Sequence, residues 1–192
     1  MNTPIPDPRS SLLPLAQFLE NHRDTLDSQR CLPDEAVAEF VRQGLWKLWV
    51  PREFGGAEMA VPDALELFET AAELEPVLGW SVTIGTGGGL FAAWLPEAVA
   101  AEIYEPEQAL IAGSGAPTGA ARPVEGGYRV SCRWRYCSGA PHATWFTASV
   151  MVEAPGDEPA MRAVAVPADE VIVEDTWDTA ALRIQDAIDA AV

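Results

Sequence analysis

Arg133-Trp134-Arg135-Tyr136-Cys137-Ser138-Gly139-Ala140-Pro141-His142-Ala143-Thr144-Trp145 is the stretch around which the rest of the chain is organised. Aromatic residues suited to a strand run into a turn of small residues, and a second aromatic start follows. Just upstream, Tyr128, Val130, Cys132, Trp134 and Tyr136 alternate with Arg129, Ser131, Arg133 and Arg135. That period of two predicts a strand with one buried face. Glu125-Gly126-Gly127 predicts the turn of a hairpin. The arm before it leads back to a second glycine-rich loop, Gly113-Ser114-Gly115-Ala116-Pro117-Thr118-Gly119.

Further strands are predicted over residues 110–114, 121–124, 145–152, 161–166 and 171–177, short and separated by Gly, Pro, Asp and Glu. Upstream of Pro106 the pattern is helical instead. Residues 8–19 place Leu12, Leu13, Leu15, Ala16, Phe18 and Leu19 on a recurring face, and residues 21–29 are polar and end or expose that helix. Pro33, Asp34 and Glu35 open a second helix, with acids in the first turn as the helix dipole favours, and Gly44 stands where its C-terminus is expected. Residues 45–51 form an apolar connection, followed by a paired-glycine turn at Gly55-Gly56. A third helix starts at Pro62. Residues 78–94 are apolar nearly all round and predict a buried helix. A last helix restarts at Pro96 and runs to about Tyr104.

Helices first and strands second predict an α+β fold of two packed units. The expected division is an N-terminal helical domain over residues 1–106, a small antiparallel β-barrel domain over 107–179, and a helical tail over 180–192. The 192 residues suffice for a buried core, and seven tryptophans argue against disorder. A formal net charge of −17 with dispersed acids argues against a nucleic-acid partner, which needs clustered Lys and Arg. Three cysteines (Cys31, Cys132 and Cys137) without CxxC spacing argue against a disulfide framework or a zinc site. No secretory leader and no membrane span is expected, so the expected setting is a reducing cytoplasm.

Few residues announce chemistry. Thr86-Gly87-Gly88-Gly89 lacks both the Lys-Ser/Thr and the preceding strand of a phosphate loop, so close helix packing or room for a ligand accounts for it better. His22 reads as solvated. His142 sits in a turn with no second metal ligand and no Ser-His-Asp arrangement. Cys137 reads as a small buried thiol, since no activating base is near it. Ser114, Thr118 and Ser138 are hydroxyls in glycine-bearing loops that can approach the polar edge of a planar ligand. Trp134, Tyr136 and Trp145 can stack on a ring or fill a core.

These residues resemble the acyl-CoA dehydrogenase superfamily. Trp49-Val50-Pro51-Arg52-Glu53-Phe54-Gly55-Gly56 is similar to its "P-x-x-[FY]-G-G" turn, and residues 113–119, 126–131 and 134–139 are similar to the strands opening its middle β-barrel. Ala116-Pro117-Thr118-Gly119 and Trp134-Arg135-Tyr136-Cys137-Ser138-Gly139 resemble the branch of two-component flavin-dependent monooxygenases acting on aromatic compounds. Dehydrogenases proper carry "T-E-P-x-x-G-S-D" and "W-I-T-N" at those places.

The resemblance implies FAD or FMN lying against the barrel. Thr118 and Ser138 would contact its polar edge, with backbone groups near Cys137 and Gly139, and Trp134 and Tyr136 would support the wall. Residues 78–95 would line the substrate side. It also implies a small-molecule substrate (an acyl thioester or an aromatic compound), a homo-oligomer and, for the monooxygenase branch, a flavin reductase partner. Superfamily members continue into a C-terminal helical bundle carrying the catalytic base or a key histidine, so no catalytic residue is assigned in this sequence. After Thr176-Trp177 the family's "G-L-R" reads Ala181-Leu182-Arg183, and the following residues look helical. The leading expectation is a flavin-binding oxidoreductase unit, dehydrogenating acyl-CoA or hydroxylating with reduced flavin, and inactive by itself. The alternative is a non-catalytic remnant serving as a self-association or interaction module.

Overall fold

The structure is a computed structural model that describes residues 7–153, 158–175 and 188–191. Helices come first. In α1 (Pro8–Asn21) the Asp7 carboxylate accepts from the Arg9 N–H, Pro8 occupies the first turn, and Leu12, Leu15, Ala16 and Leu19 are buried. α2 (Arg23–Gln29) occupies the polar stretch whose sequence predicts no separate helix, anchored by the single buried residue Leu26. α3 (Asp34–Arg42) buries Ala36 and Phe40. α4 (Val61–Leu74) buries Ala64, Leu67, Phe68 and Ala71. These faces, with Trp46, Leu48, Leu78 and Val82, form one core.

α5 (Pro76–Gly87) begins where the buried Glu75 carboxylate accepts from the Leu78 N–H at 2.9 Å. The chain then tightens into a 3-10 segment, Gly88–Trp94. Glycines allow α5 to lie close to its neighbours: a Cβ on Gly79 would sit 2.5 Å from Ala72, and one on Gly85 would sit 2.2 Å from the Trp46 ring. The expectation of burial all round is corrected here. Leu78, Val82 and Thr86 are buried, but Trp80, Leu90 and Trp94 are exposed, so α5 and its extension present an open apolar side. α6 (Glu97–Tyr104) follows, and the Tyr104 hydroxyl donates to the Gly88 carbonyl at 2.7 Å, at the point where the helix changes pitch.

β1 (Ile111–Val124), β2 (Gly127–Ser131), β4 (Trp145–Val152) and β5 (Ala160–Pro167) form a four-stranded sheet in the order β2-β1-β4-β5. The α+β class stands, but the sheet is mixed, because β1 and β4 run parallel from Ile111↔Trp145 onward. A parallel pair needs a crossover of a dozen or more residues, and residues 125–144 supply it. β3 (Arg133–Trp134), β7 (Ile188–Ala191) and β6 (Ile172–Asp175) make a second sheet. Ile188–Ala191 thus forms a strand where the sequence predicts a helical tail. It lies between β3 and β6, where ladder bonds on both sides override a weak local preference. The rest of that expected helix, residues 180–187, lies outside the described residues, as does the Thr176–Arg183 motif region.

Between Ser114 and Gly119 the β1–β4 register shifts. Residues 115–118 have no ladder partner on β4, where only Ser149 separates Ala148 from Val150. The β1–β2 ladder covers only residues 120–124 and 127–131. The glycine-rich loop is therefore a bulge carried by a continuous strand, which re-aims four residues out of the ladder.

The helical and sheet portions meet at a third cluster: Val50, Phe54, Ala92, Ala100, Ile103, Tyr104 and Ile111. A Cβ on Gly88 would approach Ile111 to 2.8 Å. Lys47 is buried beside this junction, with its Nζ 3.5 Å from the Pro106 carbonyl. Burial pushes the Lys47 ammonium below its ordinary range, and Glu107 and Glu105 oppose that shift.

Candidate functional site

The loop after β3 leaves strand geometry at Tyr136, whose φ is +63, and turns again at Gly139, whose φ is +84. Left-handed backbone is unfavourable for a tyrosine. The following 3-10 turn, Ala140–His142, is closed by the His142 N–H bonding the Gly139 carbonyl. Thr144 then ties the loop to the start of β1. Its N–H donates to the Leu110 carbonyl at 2.8 Å, and its hydroxyl accepts from the Leu110 N–H at 3.2 Å. The C-terminal end of the loop is thereby tied to the residue that enters β1.

A cleft results. Trp80, Ser81, Ile84 and Gly85 of α5 form one side, Ser138, Gly139 and His142 the other, and Leu32, Trp46 and Leu110 complete it. Its cavity is small, about 30 Å³, room for one or two water molecules. Ile84 also borders a second groove, where Gly88 and Phe91 face Gly113, Ser114 and Gly115 of the bulge and Thr147, Ala148 and Ser149 of β4. A Cβ on Gly115 would meet nothing within 4 Å, so the bulge borders open space. The two glycine-bearing loops thus lie along neighbouring depressions that share a wall on α5.

The six residues singled out by resemblance separate into three settings. Ser138 and Gly139 line the cleft. Trp134 and Cys137 are buried in the core of the sheet, at 1% and 2% exposure, with Phe146, Ala148 and Val150. Trp134 packs over Gly119, where an added Cβ would stand 3.1 Å from its ring. These two support the loop from beneath. Thr118 is exposed on the bulge, with its hydroxyl 3.3 Å from the Cys132 sulfur, and Tyr136 is 67% exposed. Neither Thr118 nor Tyr136 lines the cleft.

The resemblance puts residues 78–95 on the substrate side without singling out Trp80, Ser81 and Ile84, because an apolar run marks a helix without marking its open side. His142 was visible in its turn, but its surroundings were not. It is half-buried, and its Nε2 is one of three buried side-chain nitrogens or oxygens lacking a hydrogen-bond partner among the described residues. The other two, the indole nitrogens of Trp49 and Trp134, belong to side chains that do not line the cleft. Burial lowers the His142 imidazole below its ordinary value of 6.5, and Asp34 opposes that shift, so the ring is neutral at pH 7. Among the described residues no cluster of His, Cys, Asp or Glu could hold a metal ion, and no helix is long and apolar enough to cross a membrane.

The cleft is bordered by two tryptophans, two serines, the His142 side chain and a tight glycine turn. The neighbouring groove along the bulge, about 250 Å³, is the one with room for a planar ring, and Ser114, Thr147 and Ser149 give it a polar edge.

Six helices followed by a curled mixed sheet define an acyl-CoA dehydrogenase-like fold. The structure superposes on XiaF from Streptomyces sp., solved in complex with FADH2 and glycerol, with a TM-score of 0.87 and 26% identity over 97% of this chain and 48% of that one. It also superposes on the HsaA monooxygenase of M. tuberculosis with a TM-score of 0.80 and 27% identity, covering 96% of this chain and 50% of that one. In sequence the chain is 31% identical over 172 residues to the FADH(2)-dependent resorcinol hydroxylase, oxygenase component, of Rhizobium sp., covering 86% of this chain and 41% of that protein. It is 30% identical over 161 residues to a pigment production hydroxylase of Rhodococcus sp., covering 83% and 41% respectively. No family model matches the chain. The chain spans less than half the length of these two curated relatives. Both relatives in sequence are hydroxylases by name, and the Rhizobium protein is the oxygenase component of an FADH(2)-dependent one.

Proposed function

We propose that this chain forms the helical and β-sheet portion of a flavin-dependent monooxygenase oxygenase component, which hydroxylates a small aromatic compound with reduced flavin from a separate reductase. The observation carrying this reading is the pair of depressions that share Ile84 of α5, where the Ser138-Gly139 turn faces Trp80 and Ser81 and the larger groove runs between the bulge and Phe91. The names of the relatives favour hydroxylation over the acyl-CoA dehydrogenase reaction.

Reduced FAD or FMN, when bound, supplies the electrons that activate dioxygen for transfer of one oxygen atom to the aromatic ring. The residues of this chain do the rest of the described work. Ser138 Oγ and the backbone around Cys137 and Gly139 would hold the polar edge of the flavin, and Trp134 and Cys137 keep that turn in place from the core. Thr118 on the bulge and the exposed Tyr136 would contact the flavin from outside the cleft. Ile84 and Phe91, which border the larger groove, would exclude water and orient the aromatic substrate. The working assembly is a homo-oligomer.

Anaerobic titration with reduced FAD and with reduced FMN, read by tryptophan fluorescence, tests the reading. Saturable quenching is expected, with Ser138→Ala weakening it about 3- to 10-fold, the effect of one lost hydrogen bond. A fluorescence signal that stays flat with excess of either flavin overturns it. Where flavin binds, oxygen-dependent hydroxylation of a phenol with a flavin reductase present is expected. Dye-linked oxidation of an acyl-CoA in its place would move the chain to the dehydrogenase branch.

A further inference from the structure

We propose that Phe91 is the specificity-determining residue of the groove along the bulge, where its ring stacks on a single neutral aromatic ring whose hydroxyls Thr147 and Ser149 hold. The inference rests on the oxygenase reading above and adds the substrate class and the residues that select it.

Three observations converge. The first is the shape of the groove. Its cavity measures about 250 Å³, against about 30 Å³ beside Trp80. Phe91 is the single aromatic side chain lining it among the described residues, and small residues (Gly113, Gly115, Ala148 and Ala163) make up much of the rest. A ring opposite a floor of small residues leaves a flat slot, which an aromatic guest fills by offset stacking or edge contact.

The second is positioning. Ile84, Gly88 and Phe91 follow the spacing of one helix face, and all three border the groove. Gly88 is pinned, because its carbonyl accepts from the Tyr104 hydroxyl at 2.7 Å and its Cα lies close against Ile111. From Gly88 onward the chain is a 3-10 helix with three residues per turn, so Trp94 follows Phe91 on the same side. The two rings meet edge to face with centroids 6.1 Å apart, and Trp94, 75% exposed, stands outside the groove. Phe91 is thus braced from outside the groove, and it belongs to none of the three cores.

The third is the chemistry of the opposite wall. Thr147 and Ser149 lie two residues apart on β4, so both point to one side of the sheet. The Thr147 hydroxyl occupies the space over Gly113, where a Cβ would overlap it, and its bond to the Ala112 carbonyl is long, at 3.5 Å. The Ser149 hydroxyl makes no hydrogen bond among the described residues. Every side chain lining the groove is uncharged, so a carboxylate would lose hydration there without meeting a cation among the described residues. A neutral ring carrying hydroxyls matches both walls.

The test is calorimetric titration of the whole chain, first alone and then saturated with reduced FAD in the absence of oxygen. Resorcinol is the probe, toluene lacks its hydroxyls, benzoate adds a charge and 2-naphthol adds a second ring. Resorcinol should bind saturably, and benzoate at least about 10-fold more weakly. Ser149→Ala should weaken resorcinol about 3- to 10-fold, the effect of one lost hydrogen bond, and leave toluene unchanged. Phe91→Ala should weaken resorcinol and toluene about 3- to 10-fold and tighten 2-naphthol, inverting the preference for one ring over two. Phe91→Tyr, which keeps the ring, should retain the parent order. A residue serving structure alone would lower every affinity together.

Four results each overturn the proposal: no saturable resorcinol binding in either state, benzoate binding as tightly as resorcinol, an unchanged order of resorcinol and 2-naphthol in Phe91→Ala, or displacement of bound resorcinol by reduced FAD, which would give the groove to the flavin. Flavin binding together with any of them defeats this inference alone. Resorcinol binding that responds to both variants, without flavin binding, supports selection by Phe91 and defeats the flavin reading.

Discussion

Two glycines of α5, two residues apart, should respond in opposite directions to the same substitution. Gly85→Ala places a methyl group 2.2 Å from the Trp46 Cδ1 and 2.8 Å from its Cγ, whereas Gly87→Ala meets nothing within 4 Å. Alanine is worth up to about 1 kcal/mol more than glycine inside a helix, and less at a helix end such as Gly87. At Gly87 that gain stands alone, so stability should rise by roughly 0.5 kcal/mol. At Gly85 the indole must retreat by more than 1 Å to restore ordinary contact near 3.4–4 Å. Trp46 is 5% exposed and stacked on Phe40 at 5.1 Å, so its retreat disturbs the main helical core. Overpacking of this kind costs about 1–3 kcal/mol. The severity of the overlap puts Gly85 near the upper figure, a net loss of about 2 kcal/mol. Urea unfolding followed by tryptophan fluorescence reads both variants. The Gly85→Ala midpoint should fall at constant m-value, and the Gly87→Ala midpoint should rise. A Gly85→Ala protein at least as stable as the parent would show that α5 does not pack on Trp46, and with that the cleft wall would be lost.

Tyr104→Phe leaves the Gly88 carbonyl without its donor inside the junction core, and a loss of about 1–2 kcal/mol by thermal or urea unfolding is expected. Because burial depresses the His142 imidazole in the folded state, the unfolded chain binds the proton more readily, so stability should decline as pH falls through 6.5 towards the lower folded value. His142→Gln should flatten that part of the stability profile; an unchanged slope would relocate its cause. The Arg133–Glu174 ion pair joins β3 to β6 with its arginine 57% exposed, so Arg133→Gln should change stability by no more than about 1 kcal/mol, with any loss shrinking in 1 M salt. Glu75→Ala removes the buried cap of α5, and a loss of at least about 1 kcal/mol is expected by urea titration.

Much of the fold is legible in the residues because period and punctuation agree. Pro8, Asp34 and Pro62 lie at or beside real helix starts, and Gly44 and Gly55 take the positive φ expected of their stops. What escaped depends on partners distant in sequence. α2 has one buried residue and no apolar period for a pattern to register. The parallel pairing of β1 with β4 is set by a crossover, which leaves no mark on either strand. Ile188–Ala191 is Ile-Asp-Ala-Ala, a composition equally suited to a helix turn, and pairing on both edges decides its form. The two-residue alternation from Tyr128 to Tyr136 holds at Val130, Cys132 and Trp134, which face the core. It fails at both ends, where Tyr128 lies near the hairpin turn and Tyr136 has left the extended conformation.

The same distinction explains the site. A loop sequence shows which residues can take tight backbone turns, and Ser138-Gly139 is where the turn and the cleft coincide. It does not show which aromatic residue in a strand-like run points inward, so Trp134 and Tyr136, two positions apart, fell together in the reading and lie at opposite extremes of exposure. Nor does a helix of uniformly apolar composition reveal its open side. Trp80 and Val82 are equally apolar in the sequence, yet Val82 closes the core and Trp80 borders the cleft. The deciding quantity is the rotation of α5 about its own axis, and glycines set it. Gly79 against Ala72 and Gly85 against Trp46 each admit a contact no side chain would allow. With those two points pressed inward, the 100° step per residue leaves Trp80, Ser81 and Ile84 turned towards Ser138 and His142. The glycines of α5 thus act on the site through orientation, and a Cβ at Gly85 should disturb ligand binding and stability together.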